Sequence, residues 1–176
     1  MSPAAIALPV PAAVPEFLAP RIEHLRHTLR AGRREEALRL AQTISGELAE
    51  SYGPLHHYTL HALELLAFCA QLAWQPTIAT EASVYTAAAW QHFLDAEHPH
   101  IRRQARNGAA SWLTITDAPD AVRTGTSLLE LLQSLYGKDH PSTPFVERRL
   151  NAITGADQEA AKRALRASGP ALMIKP

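Results

Sequence analysis

One turn motif recurs along the chain at a constant interval. It reads Gly53-Pro54-Leu55-His56-His57, then Asp95-Ala96-Glu97-His98-Pro99, then Gly137-Lys138-Asp139-His140-Pro141. The leading histidines, His56, His98 and His140, are spaced by 42 residues and 42 again. Self-similarity at a fixed period of this size marks a repeat architecture, in which each supersecondary unit buries its apolar face against its neighbours. The chain is therefore expected to be a stack of like units, not one closed core.

The segments between the turns are helical in pattern. Phe17, Leu18, Ile22, Leu25 and Leu29 fall at three- and four-residue steps, and Gly32 closes that helix. A second helix starts at Arg33, carries Leu38, Ala41, Ile44 and Leu48 on one stripe, and stops at Tyr52-Gly53-Pro54. A third covers 57–74 with Leu60, Leu63, Leu66, Ala67 and Ala70 as its stripe. Pro76 suits the first turn of a fourth helix over 77–94, where its missing N–H costs little. A fifth runs from Pro99 to about residue 116, and Asp117-Ala118-Pro119-Asp120 opens a sixth. The sixth, with Leu128, Leu129, Leu131, Leu132 and Leu135, is the most apolar in the chain. A last repeat helix starts at Pro141 and ends at Gly155, followed by a charged capping helix over 157–167.

Laying the 42-residue blocks in register aligns Ala37 with Ala79 and Ala121, Ala67 with Ala109, and Ile44 with Thr86 and Leu128. Small residues at fixed positions let paired helices approach closely. Nothing in the pattern requires a strand. The fold class is all-α, with about three and a half helix–turn–helix repeats over residues 16–167. Residues 1–15, with prolines at 3, 9, 11 and 15, read as an extended arm and not as a secretory signal, since no basic residue precedes the apolar part. Residues 168–176 read as a tail.

The period, the Gly53/His56, His98-Pro99 and Gly137/His140-Pro141 turns, and the aligned alanines together resemble tetratricopeptide-repeat proteins of the long, kinesin-light-chain-like type. The resemblance covers residues 17–154. Three positions depart from that pattern: His57 stands for the turn proline, Asp95 for the turn glycine, and Gly108 for a large apolar residue. The resemblance implies a right-handed α-solenoid that binds a protein partner on a concave face lined by the first helix of each pair. Carried over by register, the exposed inner positions are Arg26 from the first pair, His61, Glu64 and Phe68 from the second, Arg103 and Arg106 from the third, and Phe145 and Arg148 from the fourth. Basic side chains on such a face grip acidic or C-terminal peptide segments in the family, and guanidinium forks suit carboxylates.

Composition limits the alternatives. Lys plus Arg equals Asp plus Glu at 17 each, so no bulk charge points to nucleic acid, and no aromatic-plus-basic platform stands out. No apolar run approaches the ~18 residues of a membrane helix. The single cysteine, Cys69, makes an internal disulfide impossible and favours a reducing, cytoplasmic setting. His57 and His61 lie one helical turn apart but lack the further ligands a zinc site needs, so no metal and no cofactor are expected. Ser111 and Ser127 sit in helical pattern, no nucleophile stands in a recognisable frame, and no phosphate-binding loop appears, so no catalytic residue is assigned. Trp74, Trp90 and Trp112 are expected to pack at helix seams. The expected function is a non-enzymatic, cytoplasmic protein-interaction module holding a peptide or helix in its groove. The rival is a regulatory subunit of a signalling or transcription system, or one that self-associates through the Leu128–Leu135 helix to form a homo-oligomer.

Overall fold

The computed structural model describes the backbone of residues 16–167 and the side chains of residues 16–155. The expected arm at 1–15 and tail at 168–176 lie outside the described residues. A single 3₁₀ turn (Glu16–Leu18) leads into α1 (Ala19–Arg30), α2 (Arg34–Tyr52), α3 (His57–Leu72), α4 (Pro76–Trp90), α5 (Pro99–Trp112), α6 (Ala118–Tyr136) and α7 (Ser142–Ala167). Among the described residues there is no strand, and the helices alternate with the turns that the period locates. The chain forms two compact units, divided between Ala73 and Trp74 in the turn from α3 to α4.

In the first unit α2 packs against both α1 and α3. Most of the stripe read from the sequence is core: Leu25, Ala41, Ile44, Leu48, Leu60 and Ala70 are buried, as is Ala37, while Ile22, Leu29 and Leu63 are half-buried. Phe17 is an exception. It lies 54% exposed, against the Tyr52 ring at a centroid distance of 6.2 Å.

In the second unit α4 and α6 lie side by side, α5 packs on both, and α7 packs on α6. Ala79 and Ala121 are enclosed like their counterpart Ala37, and Thr86 and Leu128 like Ile44, so the repeat register is also a burial register. Two repeat positions are exchanged in size here. Trp112 stands where the earlier repeats have Thr28 and Ala70, and Gly125 stands where they have Ala41 and Ser83. The indole occupies the room that the glycine leaves. A Cβ on Gly125 would lie 2.7 Å from the Trp112 ring, and the indole N–H donates to the Ala121 carbonyl at 2.8 Å. Gly108, the departure from the family pattern, lets α5 approach α4 closely. A Cβ there would meet the Val84 side chain at 3.1 Å.

The three histidines act as helix caps. The Nδ1 atoms of His56, His98 and His140 accept from the backbone N–H groups of Tyr58, His100 and Ser142 at 3.2, 3.2 and 3.4 Å. Each thereby satisfies an N–H that has no partner within its own helix.

Four boundaries differ from the sequence reading. The third helix ends at Leu72, not near residue 74. The fourth ends at Trp90, not near residue 94, and closes with tight bonds from Gln91, His92 and Phe93 back to the carbonyls three residues earlier. The fifth ends at Trp112, not near residue 116. Carbonyls at its end are taken by a side chain from another helix: the Arg149 guanidinium donates to Trp112 O at 3.0 Å and to Ile115 O at 3.1 Å. The break expected at Gly155 does not occur, and α7 continues through it as one helix of 26 residues. A lone glycine inside a helix costs only about 1 kcal/mol relative to alanine, too little to end it without a proline or a cap.

Candidate functional site

The basic inner positions are best built from the second unit, where α5 and α7 carry most of them. Arg102, Arg103 and Arg106 lie on α5, and Arg148 and Arg149 on α7. Two of these are engaged in holding the fold. Arg149 lies 4.4 Å over the Trp112 ring while capping α5. Arg102 pairs with Glu97 and lies 6.0 Å from the Tyr136 ring centroid.

The other three are not used in this way. Arg103 is half-buried and touches the His100 Nδ1 at 3.0 Å, one turn back on its own helix. Arg106 and Arg148 are exposed and have no ion-pair or hydrogen-bond partner among the described residues. Phe145 is 47% exposed on the same helix as Arg148, three residues before it. Residues at that spacing share one helix face, as Arg103 and Arg106 do on α5. Arg103 with Phe145, and Arg106 with Arg148, occupy equal positions in successive repeats. Among the described residues no hydrogen bond, ion pair or ring contact joins Arg103 or Arg106 to Phe145 or Arg148.

The first unit carries the remaining candidates separately. Arg26 is exposed on α1 with Glu23 at 3.6 Å. His61 and Phe68 are half-buried on α3. The repeat register puts Glu64 on an exposed face, and the structure corrects that: it is 3% exposed, with its carboxylate 3.7 Å from His61 Nδ1. A carboxylate this enclosed is held by neighbours and is not presented to solvent.

Cys69 is fully buried, and burial pushes its thiol pKa up to about 12, far from a reactive thiolate. His57 is held below the ordinary histidine value, first by loss of hydration and then by the neighbouring His56 and His61. Among the described residues no group of three or more His, Cys, Asp or Glu side chains is placed to hold a metal ion. No helix of the described residues is long and apolar enough to cross a membrane.

Three expectations about apolar residues meet different outcomes. Trp112 and Trp90 pack inside, at 0% and 9% exposure. Trp74 does not: it is 79% exposed. It also has a φ of +56°, the left-handed region that bulky side chains avoid. Its repeat counterpart is Gly32, at a φ of +73°. The periodicity held this signal, since a tryptophan standing one repeat after a helix-ending glycine is out of place. The strain costs roughly 1–2 kcal/mol. The third outcome concerns the leucine-rich α6. Leu128, Leu131, Leu132 and Leu135 are buried within the second unit.

A groove that the sequence did not suggest runs between α4 and α6. It has a volume of about 470 Å³, and Glu81, Val84, Tyr85, Ala88, Glu130 and Leu131 are among the residues that line it. One end is fixed by Arg123, which binds both Glu81 and Asp120, while Thr77 donates to the Asp120 carboxylate at 3.1 Å. These bonds, that from Arg123 first, hold the Asp120 carboxyl below its ordinary value.

Two solved structures show the same arrangement of helices. Both are of a Podosopora anserina putative kinesin light chain with nearly identical TPR-like repeats, one of them a point variant. The point variant is 20% identical, covers 88% of this chain and 76% of its own, and superposes with a TM-score of 0.50. The other is 20% identical, covers 92% of this chain and 80% of its own, with a TM-score of 0.51. The fold is that of TPR-like repeats. No family model and no curated protein matches the chain. Within this TPR-like fold, α1, α3, α5 and α7 are the first helices of their pairs, and the open arginines belong to that set.

Proposed function

We propose that this TPR-like chain is a non-enzymatic, cytoplasmic interaction module whose α5/α7 face holds an acidic segment of a partner protein. The observation that carries the reading is the pair Arg106 and Arg148. Both guanidinium groups are exposed, and neither is engaged by an acid among the described residues. They stand at equal positions of successive repeats, beside exposed Phe145. Their charge is left available for binding. Two forks one repeat apart suit a peptide carrying spaced carboxylates or a carboxylate terminus, with an apolar residue against Phe145. Arg103 adds a third cation, and Arg26, His61 and Phe68 are the corresponding candidates of the first unit.

The test is calorimetric titration with an acidic peptide ending in a free carboxylate, against its amide-substituted neutral analogue. The double variant Arg106→Glu and Arg148→Glu is expected to bind the acidic peptide at least ~100-fold more weakly, each lost charge-assisted bond being worth about 1.5–3 kcal/mol. Both substitutions are at exposed positions and should leave the melting temperature in place. Equal affinity of wild type and variant would remove the α5/α7 face from the reading.

A further inference from the structure

We propose that the chain self-associates head to tail, the Trp74 indole of one copy entering the α4/α6 groove of another. Neither Trp74 nor the groove uses α5 or α7 side chains, so this contact is independent of the peptide-binding face.

Trp74 is out of place in both backbone and exposure. A lone exposed aromatic needs no explanation, but a strained one does. At the same place in the preceding repeat Gly32 takes the left-handed backbone without penalty, so glycine is the less costly residue for this turn. Trp74 gains little in return within its own fold, since 79% of it faces solvent. The backbone therefore presents an indole outward at a cost, as a contact anchor would be presented.

The groove between α4 and α6, of about 470 Å³, lies within the same unit as Trp74. That volume falls in the range of roughly 300–1,000 Å³ typical of ligand clefts. Val84, Ala88 and Leu131 give it apolar lining, and the Tyr85 ring, which also lines it, can face an indole edge. Glu130 also lines the groove, exposed on α6, and its carboxylate oxygen can accept from the indole N–H. An indole and a groove of this chemistry on one chain are complementary surfaces.

Little opposes the contact. With 17 basic and 17 acidic residues the chain has no net charge to keep copies apart. Knob and groove are different surfaces, so the contact is heterologous and can extend beyond two copies. One buried tryptophan contributes only about 150–250 Å², well below the ~1,200 Å² of a stable interface, so association is weak and reversible.

The test is sedimentation equilibrium of the full chain from micromolar concentration up to ~1 mM, the range in which a contact of this size populates. The average mass of wild type is expected to rise above the 19.2 kDa of one chain as concentration increases. Trp74→Gly removes the knob, and Ala88→Arg fills the groove from an exposed position. Each variant alone should stay at the mass of one chain. Mixed in equal amounts they should form a dimer and nothing larger, because the mixture holds one intact knob and one intact groove per pair. Trp74→Gly should melt no lower than wild type, which separates lost contact from lost fold. Wild type that stays at one-chain mass throughout, a variant that still associates, or a mixture that does not dimerise would each overturn the proposal.

Discussion

The turns at 53–56 and 137–140 are close copies of one another, and the turn at 95–98 is not. In the first and third, Gly53 and Gly137 sit at φ +90° and +79° with ψ 161° and 174°, a region that only glycine occupies without strain. The tyrosine before each glycine stacks on the capping histidine: Tyr52 on His56 at 4.9 Å and Tyr136 on His140 at 4.6 Å. A threonine three residues after each histidine returns to the glycine carbonyl, Thr59 at 2.8 Å and Thr143 at 2.9 Å. The middle turn has Leu94, Asp95 and Ile101 at these positions. Asp95 does not take the positive φ of the two glycines, α4 ends earlier, at Trp90, in tight bonds, and Ile101 offers no hydroxyl. Only the histidine cap is common to all three turns. One role, starting a helix, is thus kept while its supports are exchanged as a set.

That contrast can be broken most strongly at the glycines. Gly53→Ala or Gly137→Ala should destabilise its unit by about 1–3 kcal/mol, although nothing lies within 4 Å of the added Cβ, because the cost is in the backbone. Asp95→Gly should change stability by less than about 0.5 kcal/mol, the range of ordinary surface substitutions. Chemical denaturation of the three variants checks this, and equal losses at all three positions would mean the turns share a backbone need after all.

A smaller effect belongs to the threonines. Thr143→Val keeps the buried shape but removes the bond to the Gly137 carbonyl, at a cost of about 1 kcal/mol. Ile101→Val at the matching position should cost a similar amount for a different reason, a lost methylene in the core, so the two must be told apart. Amide exchange at the turn following Gly137 should accelerate for Thr143→Val, while Ile101→Val should leave its own turn as it was.

The smallest effect is a pH dependence confined to the first turn. His57 replaces the proline found at the other two turns, and its folded-state pKa is lowered. The unfolded chain therefore binds the proton more readily. The contribution of His57 to stability is present above about pH 6.5 and falls as the pH drops below it. His57→Pro should flatten that part of the pH–stability curve measured by thermal melts between about pH 5 and 7.5. An unchanged slope would assign the dependence to another histidine.

The repeat-bearing helices were legible because the signal is local. A 42-residue period with apolar residues at helical steps defines which faces are covered, and the aligned alanines of the second helices, Ala37, Ala79 and Ala121, are all enclosed. The arginines were legible as a cluster, but their roles were not. Arg102 and Arg149 look as free in sequence as Arg106 and Arg148, and only the positions of Glu97, Tyr136 and Trp112 divide them. Glu64 was misplaced for a related reason: register gives a residue's direction from its helix but not what closes over it. The capping role of His56, His98 and His140 was visible only as a turn signal, since hydrogen bonding depends on a rotamer.

What the sequence determined alone is the unit, its length, and the stripe along which each helix is buried, because those follow from periodicity and backbone chemistry within one repeat. What the tertiary structure decided is which charges remain unpaired among the described residues, which aromatics are left outside, and that a groove opens between α4 and α6. Those depend on distances between side chains far apart in the chain, where a single exchange such as Trp112 against Gly125 changes what the neighbouring helix can cover.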